Sequence, residues 1–135
     1  MAIQLSVGVR NGSLDAIETA IGTSAILRVR TGAVPATTAT ADAGTVLATL
    51  NLPVDYMAAA SAGTKAKSGT WEDLSADAAG TAAHFRVYDS AGTTCHIQGT
   101  VTATGGGGDM TVDNAVFALA QAFTVTGFTL TAGSA

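Results

Sequence analysis

The chain has 135 residues, one domain's worth, and at that length about two-thirds of the unfolded surface can be buried without help from metals or disulfides. Hydrophobic residues make up 47%, but 28 residues are alanine, 21 threonine and 16 glycine, and only 12% are charged; this small-residue composition excludes coiled coils, charged helical bundles and highly charged disordered tails. The net charge is −4, and the six cations (Arg10, Arg28, Arg30, Lys65, Lys67 and Arg86) are too few and scattered to form the basic stripe that a duplex binder needs.

Residues 3–9 alternate, with Ile3, Leu5, Val7 and Val9 on one side and Gln4, Ser6 and Gly8 on the other. This predicts a strand or an extended arm, set apart as residues 1–12 from a single β domain over residues 13–135. A short helix is expected over residues 14–21: Leu14, Ile17 and Ile21 form a narrow stripe, Ser13 can cap it, Asp15 and Glu18 suit its first turns, and Gly22 can end it. Residues 25–31 then read as a strand with Leu27 and Val29 on one face and Arg28 and Arg30 on the other. Residues 32–44 are a long small-residue loop. A second strand over Thr45–Asn51 is stopped by Pro53. The Met57–Ala60 stretch fits one helical turn or strand and loop equally. Trp71 falls in an expected strand over Thr64–Glu72, as a core anchor.

The clearest hairpin follows. Ala83–Asp89 turns Phe85 and Val87 inward, with His84, Arg86 and Tyr88 opposite. Ser90-Ala91-Gly92 makes the turn, and Thr94–Thr102 returns with Cys95, Ile97 and Val101 inward. Gly105–Gly108 reads as a flexible connector. Met110, Val112 and Val116 begin another strand region. In the last strand, residues 122–131, the parity slips between Val125 and Phe128, and a bulge at Gly127 would realign it. Together these elements predict an all-β fold, an antiparallel jelly-roll-like β-sandwich with one short N-terminal helix.

No motif carries chemistry. Gly22-Thr23-Ser24-Ala25-Ile26 fails the nucleophile-elbow pattern at its last position. The glycine run has no following Lys-Ser/Thr. Asp73/Asp77 and Asp109/Asp113 lack the Asp-x-Asp-x-Asp loop of a calcium site and read as turn caps. The lone cysteine excludes an intrachain disulfide and a multi-cysteine zinc site. There is no run of 18 apolar residues to span a membrane, and Met1–Leu5 lacks the features of a signal peptide, so synthesis in the cytoplasm without export is expected. No catalytic, cofactor or metal residue is therefore expected. A glycan module would need exposed aromatics, and the chain has one Trp, two Tyr and four Phe.

Several stretches taken together carry a resemblance: Leu14–Gly22 with Ile26–Gly32, Gly69-Thr70-Trp71, His84–Thr94 running on to Gln98-Gly99-Thr100, and the tail Phe123–Thr131. Over about residues 10–131 the chain resembles a family of small virion proteins of tailed bacteriophages. The resemblance implies a non-enzymatic component of the assembled particle, made in the host bacterial cytoplasm and located in the virion. Its implied partners are other virion proteins (the major capsid protein, or neck and tail proteins) and copies of itself, without nucleic acid or membrane. An acidic chain suits the outside of a DNA-filled shell better than its lining, which favours a capsid decoration protein. A neck, tail or fibre-attached component and a host-surface glycan-binding module are the alternatives. The expected interface residues are the arm's Ile3, Leu5, Val7 and Val9, followed by Arg28, Arg30, Arg86 and Gln98 on a sheet face.

Overall fold

The computed structural model describes residues 3–133. Its elements are a helix α1 (Val7–Ile21) and the strands β1 (Ile26–Arg30), β2 (Val46–Asn51), β3 (Thr64–Ala66), β4 (Glu72–Asp73), β5 (Gly80–Thr81), β6 (His84–Tyr88), β7 (Cys95–Ala103), β8 (Met110–Val112), β9 (Val116–Phe117) and β10 (Phe123–Thr131). The main sheet runs β2-β1-β6-β7-β8-β10-β3, with β4 also paired to β10, while β5 and β9 form a separate two-stranded ribbon. The result is mostly strand, sandwich-like, with one helix.

The register explains the core. Leu27, Val29, Phe85 and Val87 share one face of β1 and β6, joined there by Ala48 and Leu50 of β2. Trp71, 1% exposed, anchors the material packed on that face. Its indole N–H donates to Tyr56 O at 3.1 Å, and its ring lies 5.5 Å from Phe128, which meets Phe85 edge-on at 5.5 Å. Phe117 carries the small ribbon onto Phe123 at 4.8 Å. The expected Trp71 strand is instead two short pieces, β3 and β4, with Trp71 between them, and Met57 forms an isolated bridge to Lys67 rather than a helical turn.

Two expectations are corrected at the N-terminus. The strand over residues 3–9 is not formed: the helix begins at Val7, and Ser6 rather than Ser13 caps it, its Oγ accepting from Val9 N at 3.2 Å. The helix thus runs through the expected boundary at residues 12–13, and Val7 and Val9 lie on it, exposed. Gly8 and Gly12 are poor helix formers, so the first turns depend on tertiary contacts. Arg10 donates to Ala132 O at 3.3 Å, and Asn11 Oδ1 accepts from Gly63 N at 2.9 Å. The C-terminal end is as expected: Leu14 and Ile21 are buried, Ile17 packs on the core, and Gly22 closes the helix at φ 89° with its N–H on Glu18 O.

The sheet is mixed rather than wholly antiparallel. β8 runs parallel to β7, with Val101 opposite Met110 and Ala103 opposite Val112. The glycine run makes this parallel return possible, with Gly108 half-buried against Thr102 and Gly105–Gly107 exposed. Gly105 and Gly107 sit at φ 87° and 81°, which side-chain-bearing residues disfavour. Gly106 and Gly108 press on Thr102, whose hydroxyl accepts from Gly108 N at 2.9 Å.

The bulge in β10 is present. Val125 faces Val112 and Gly127 faces the adjacent Thr111, so Thr126 is the extra residue. Gly127 is needed for room: a Cβ there would lie 2.8 Å from Thr111 Oγ1, the oxygen that accepts from Thr126 at 3.0 Å. Gly127→Val is expected to cost about 1–3 kcal/mol through overpacking, read as a lower denaturation midpoint with an unchanged m-value. An unchanged midpoint would refute this account of Gly127.

Candidate functional site

The outer face of β1, β6 and β7 carries the expected sheet-face residues, and it is not a free surface. Loop 32–44 lies across it as a strap, and every residue of β6 is buried. Arg86, 1% exposed, fixes the strap from below. Its guanidinium pairs with the Asp42 carboxylate and donates to the carbonyls of Thr37 (3.2 Å), Thr38 (2.9 Å) and Thr40 (3.0 Å). Asp42 also accepts from Arg30 at 2.9 Å and from the Tyr88 hydroxyl at 2.6 Å. At the strap's ends, His84 Nδ1 lies 2.8 Å from Gly32 O, and Gln98 Nε2 donates to Pro35 O at 2.7 Å. Arg28 stacks over the Tyr88 ring at 4.7 Å and donates to Gly92 O at 3.2 Å.

One carboxylate thus sits between two guanidinium groups. Partial burial pushes the Asp42 pKa up, but the hydrogen bonds from Tyr88 and Arg86 and the charge of Arg30 outweigh it, so the acid is held below its ordinary range. Tyr88 is shifted up by burial and by Asp42. Of the expected interface residues, Arg28, Arg30, Arg86 and Gln98 are therefore brought together by the register, and each spends a donor within the chain, while Arg30 Nε, Arg86 Nε and Gln98 Oε1 are buried without a partner. Asp42 was missed in the sequence. The available signal was that it is the one charge in a 13-residue loop opposite three arginines.

Cys95 corrects another expectation. Tyr88 pairs with Cys95 while Val87 pairs with Ile97, so His96 is an extra residue in β7 and parity reverses there. Cys95 therefore joins Arg86 and Tyr88 beside a small cavity of about 210 Å³ under the strap, half-buried rather than in the core. Burial pushes its thiol pKa up, against the pull of Arg86, and Sγ donates to Ile97 O at 3.4 Å. A bulky thiol reagent near neutral pH is expected to label the native protein over hours, faster as the pH rises above the ordinary thiol range. Full labelling within minutes would contradict this.

A second polar cluster holds α1. Lys65 of β3 is 3% exposed. Its ammonium meets Asp15 at 2.7 Å, Glu18 at 3.0 Å and Ala58 O at 2.9 Å. A cleft of about 520 Å³ lies beside it, lined also by Asp55 and Met57. Tyr56 is pushed up to about 12 by burial and by the charge of Glu18. Three of the four turn aspartates cap backbone N–H groups, Asp73 those of Thr49 and Ser75, Asp109 that of Thr100, and Asp113 those of Asn114 and Thr124, while Asp77 accepts from the Thr49 hydroxyl. Among the described residues no three His, Cys, Asp or Glu side chains are grouped to hold a metal ion, and no helix is long and apolar enough to cross a membrane.

Among the described residues eight large apolar side chains, Val54 included, are exposed. Ile3 is 83% exposed, and Leu5, Val7 and Val9 are exposed beside it; Leu74, Val116 and Leu119 are exposed elsewhere. All seven aromatic side chains are buried. Comparison with family models, with curated proteins and with solved structures returns no match.

Proposed function

We propose that the chain is a non-enzymatic structural protein of a tailed-bacteriophage virion, a capsid decoration protein whose activity is its own association with neighbouring virion proteins and with copies of itself. The observation that carries this reading is the N-terminal apolar segment Ile3, Leu5, Val7 and Val9, four exposed apolar side chains close together in the chain, while the other exposed ones, Val54, Leu74, Val116 and Leu119, are spread along it. Covering such a segment on a neighbour yields about 1.5–3 kcal/mol for each side chain fully buried, before the cost of ordering. Repeated over many copies, that reinforces a shell. The resemblance over residues 10–131 supports a particle component, and the net charge of −4 supports a place away from packaged DNA. The jelly-roll-like, two-layer form of the sandwich belongs to this reading too.

A neck, tail or fibre-attached position is the second reading, and imaging of the particle separates it from the first. The glycan-binding alternative loses its support, because burial of all seven aromatics leaves no stacking platform for a sugar. The test is co-sedimentation with particles lacking the protein. The full chain should bind them, and a chain without residues 1–5, which leaves the Ser6 cap in place, should bind at least about tenfold more weakly, the equivalent of 1.4 kcal/mol. Equal binding by both forms would overturn the role of the arm.

A further inference from the structure

The main sheet has a gap beyond the end of β8. β8 lies between β7 and β10 only over Met110–Val112, beside Val101–Ala103 on one side and Val125–Phe128 on the other. Before Val101, β7 keeps its partner β6; beyond Phe128, β10 keeps its partner β3; no ladder joins β7 to β10. Where β8 separates them, the two strands stand about 9–10 Å apart, twice the interstrand spacing. The space continuing past β8 is a cavity of about 350 Å³ lined by neighbouring residues of both strands, Ile97 and Gln98 on β7 and Thr129 and Leu130 on β10. Neighbouring strand residues point to opposite faces, so this is a slit through the sheet and not a pit on one side of it. Its inner rim is apolar: Ile97, Phe128 and Leu130 all pack on the core.

The hydrogen-bond parity shows what faces the slit. Lys67 N–H donates to Phe128 O and Ala132 N–H to Gly63 O, so the even residues of β10 bond to the β3 side. The backbone groups of Thr129 and Thr131 are then turned into the slit. On β7, Val101 N–H donates to Ala83 O, so the odd residues bond toward β6. Gln98 is turned into the slit, while the next residue on that side, Thr100, has its N–H taken by the Asp109 carboxylate at 2.9 Å. Two strand edges thus face each other with no strand between them; Thr129 and Thr131 are exposed and Gln98 half-buried, and unpaired edge groups of this kind are a template for an added strand.

We propose that this slit accepts Ile3–Leu5 of a second copy of the chain as the missing strand. The segment has the required pattern: Ile3 and Leu5 on one side match the apolar inner rim, and Gln4 on the other matches the Gln98 and Thr129 rim. It has the required length, three residues against Thr129–Thr131. Within its own copy it leaves the Ser6 cap with Ile3 in solvent, although α1 is tied by Arg10 to Ala132, the residue following β10. Strands added to an open edge gain main-chain hydrogen bonds, with alternate side chains setting the fit. The inference rests on the reading of the arm as the fastening element and names its acceptor.

The test compares residue-resolved amide exchange in the full chain at low and high concentration, alongside sedimentation velocity, with the Ile3→Asp/Leu5→Asp variant. Both substitutions lie before the helix and outside the core. In the full chain, the amides of Gln98, Thr129 and Thr131 should slow by about tenfold or more as association sets in. In the variant they should stay fast at every concentration, with α1 and the core still protected. Exchange at these three amides that does not change with concentration overturns the proposal, whether it is fast (an empty slit) or slow (the chain's own arm inserted). If the variant loses particle binding while these amides never respond, this inference fails and the proposed function stands. If the amides respond and the variant binds particles as the full chain does, the arm's role in fastening the protein to the particle fails and this inference stands.

Discussion

Arg86→Met should destabilise the protein by about 2–4 kcal/mol, less than the cost of breaking a fully buried ion pair, because Arg86 is buried but the Asp42 side chain is 37% exposed. The methionine fills much of the same volume, so packing is largely kept. What is lost is the donor group that holds the middle of the strap: Asp42 keeps Arg30 and Tyr88, but the carbonyls of Thr37, Thr38 and Thr40 lose their shared guanidinium. For a chain of this size the loss corresponds to a fall in Tm of about 10 °C. Amide exchange in residues 32–44 should rise further than elsewhere, because the strap contributes little to the apolar core. A fall of less than about 3 °C would mean that the strap is held by something other than Arg86.

Acid should act through the same cluster. Asp42 has a folded-state pKa below its ordinary value, so its contribution to stability is complete above the ordinary carboxylate range, near pH 4. It is lost as the pH falls through the lowered folded value. The Asp42→Asn variant should therefore be less stable than the parent at neutral pH and approach it under acid conditions. A constant difference between the two down to about pH 2 would exclude the carboxylate as the source.

The elements legible in the sequence were those whose signal is local. β1 and the β6–β7 hairpin follow from unbroken alternation, Leu27/Val29 and Phe85/Val87, with Ser90–Gly92 between the hairpin strands. Trp71 as core anchor and the β10 bulge near Gly127 also follow from neighbours in the chain. The elements that were not legible depend on partners far away. The early start of α1 rests on Arg10 reaching Ala132 and Asn11 reaching Gly63, contacts that offset two helix glycines. The burial of the outer face of β6 rests on Asp42, 44 residues from Arg86. Cys95 was assigned to the wrong face because the extra residue in β7 is His96, and nothing in its residue type marks a bulge. The parallel β7–β8 pair was hidden because six residues usually cannot return a chain parallel to itself; here the offset register brings Met110 beside Val101, so the loop has little distance to recover. The sheet-face arginines were placed correctly on one face, but charge alone does not distinguish a surface waiting for a partner from one already covered by its own loop.

Lys65→Met is the second large effect expected, and it should be local. α1 buries only Leu14 and Ile21 among its side chains, so apolar packing alone holds it weakly. Lys65 supplies the rest: it neutralises Asp15 and Glu18, which lie three apart on one helix face. Methionine keeps the stem and removes the charge, leaving two carboxylates side by side. Because both remain partly exposed, water recovers some of the loss, and the cost should be about 2–4 kcal/mol, below that of a fully buried pair. Far-UV ellipticity from the single helix should fall, and exchange should rise across residues 7–21 while β1, β6 and β7 stay protected. The pH dependence has two arms. For Lys65, burial lowers the pKa, but the hydrogen bonds it donates to Asp15 and Glu18 outweigh it and the net shift is upward. Its contribution is therefore complete below the ordinary lysine range and is lost as the pH rises through the raised value. Asp15 is held down by the hydrogen bond from Lys65 and by the N–H of Ala60, so its contribution is lost as the pH falls through the lowered value. In the parent, helix protection should hold across the plateau between these limits and fail at both ends. In Lys65→Met the alkaline arm should vanish, and acid should strengthen the helix contact by neutralising the paired carboxylates. A variant helix that loosens in acid just as the parent does would show that Lys65 is not what fastens α1 to β3.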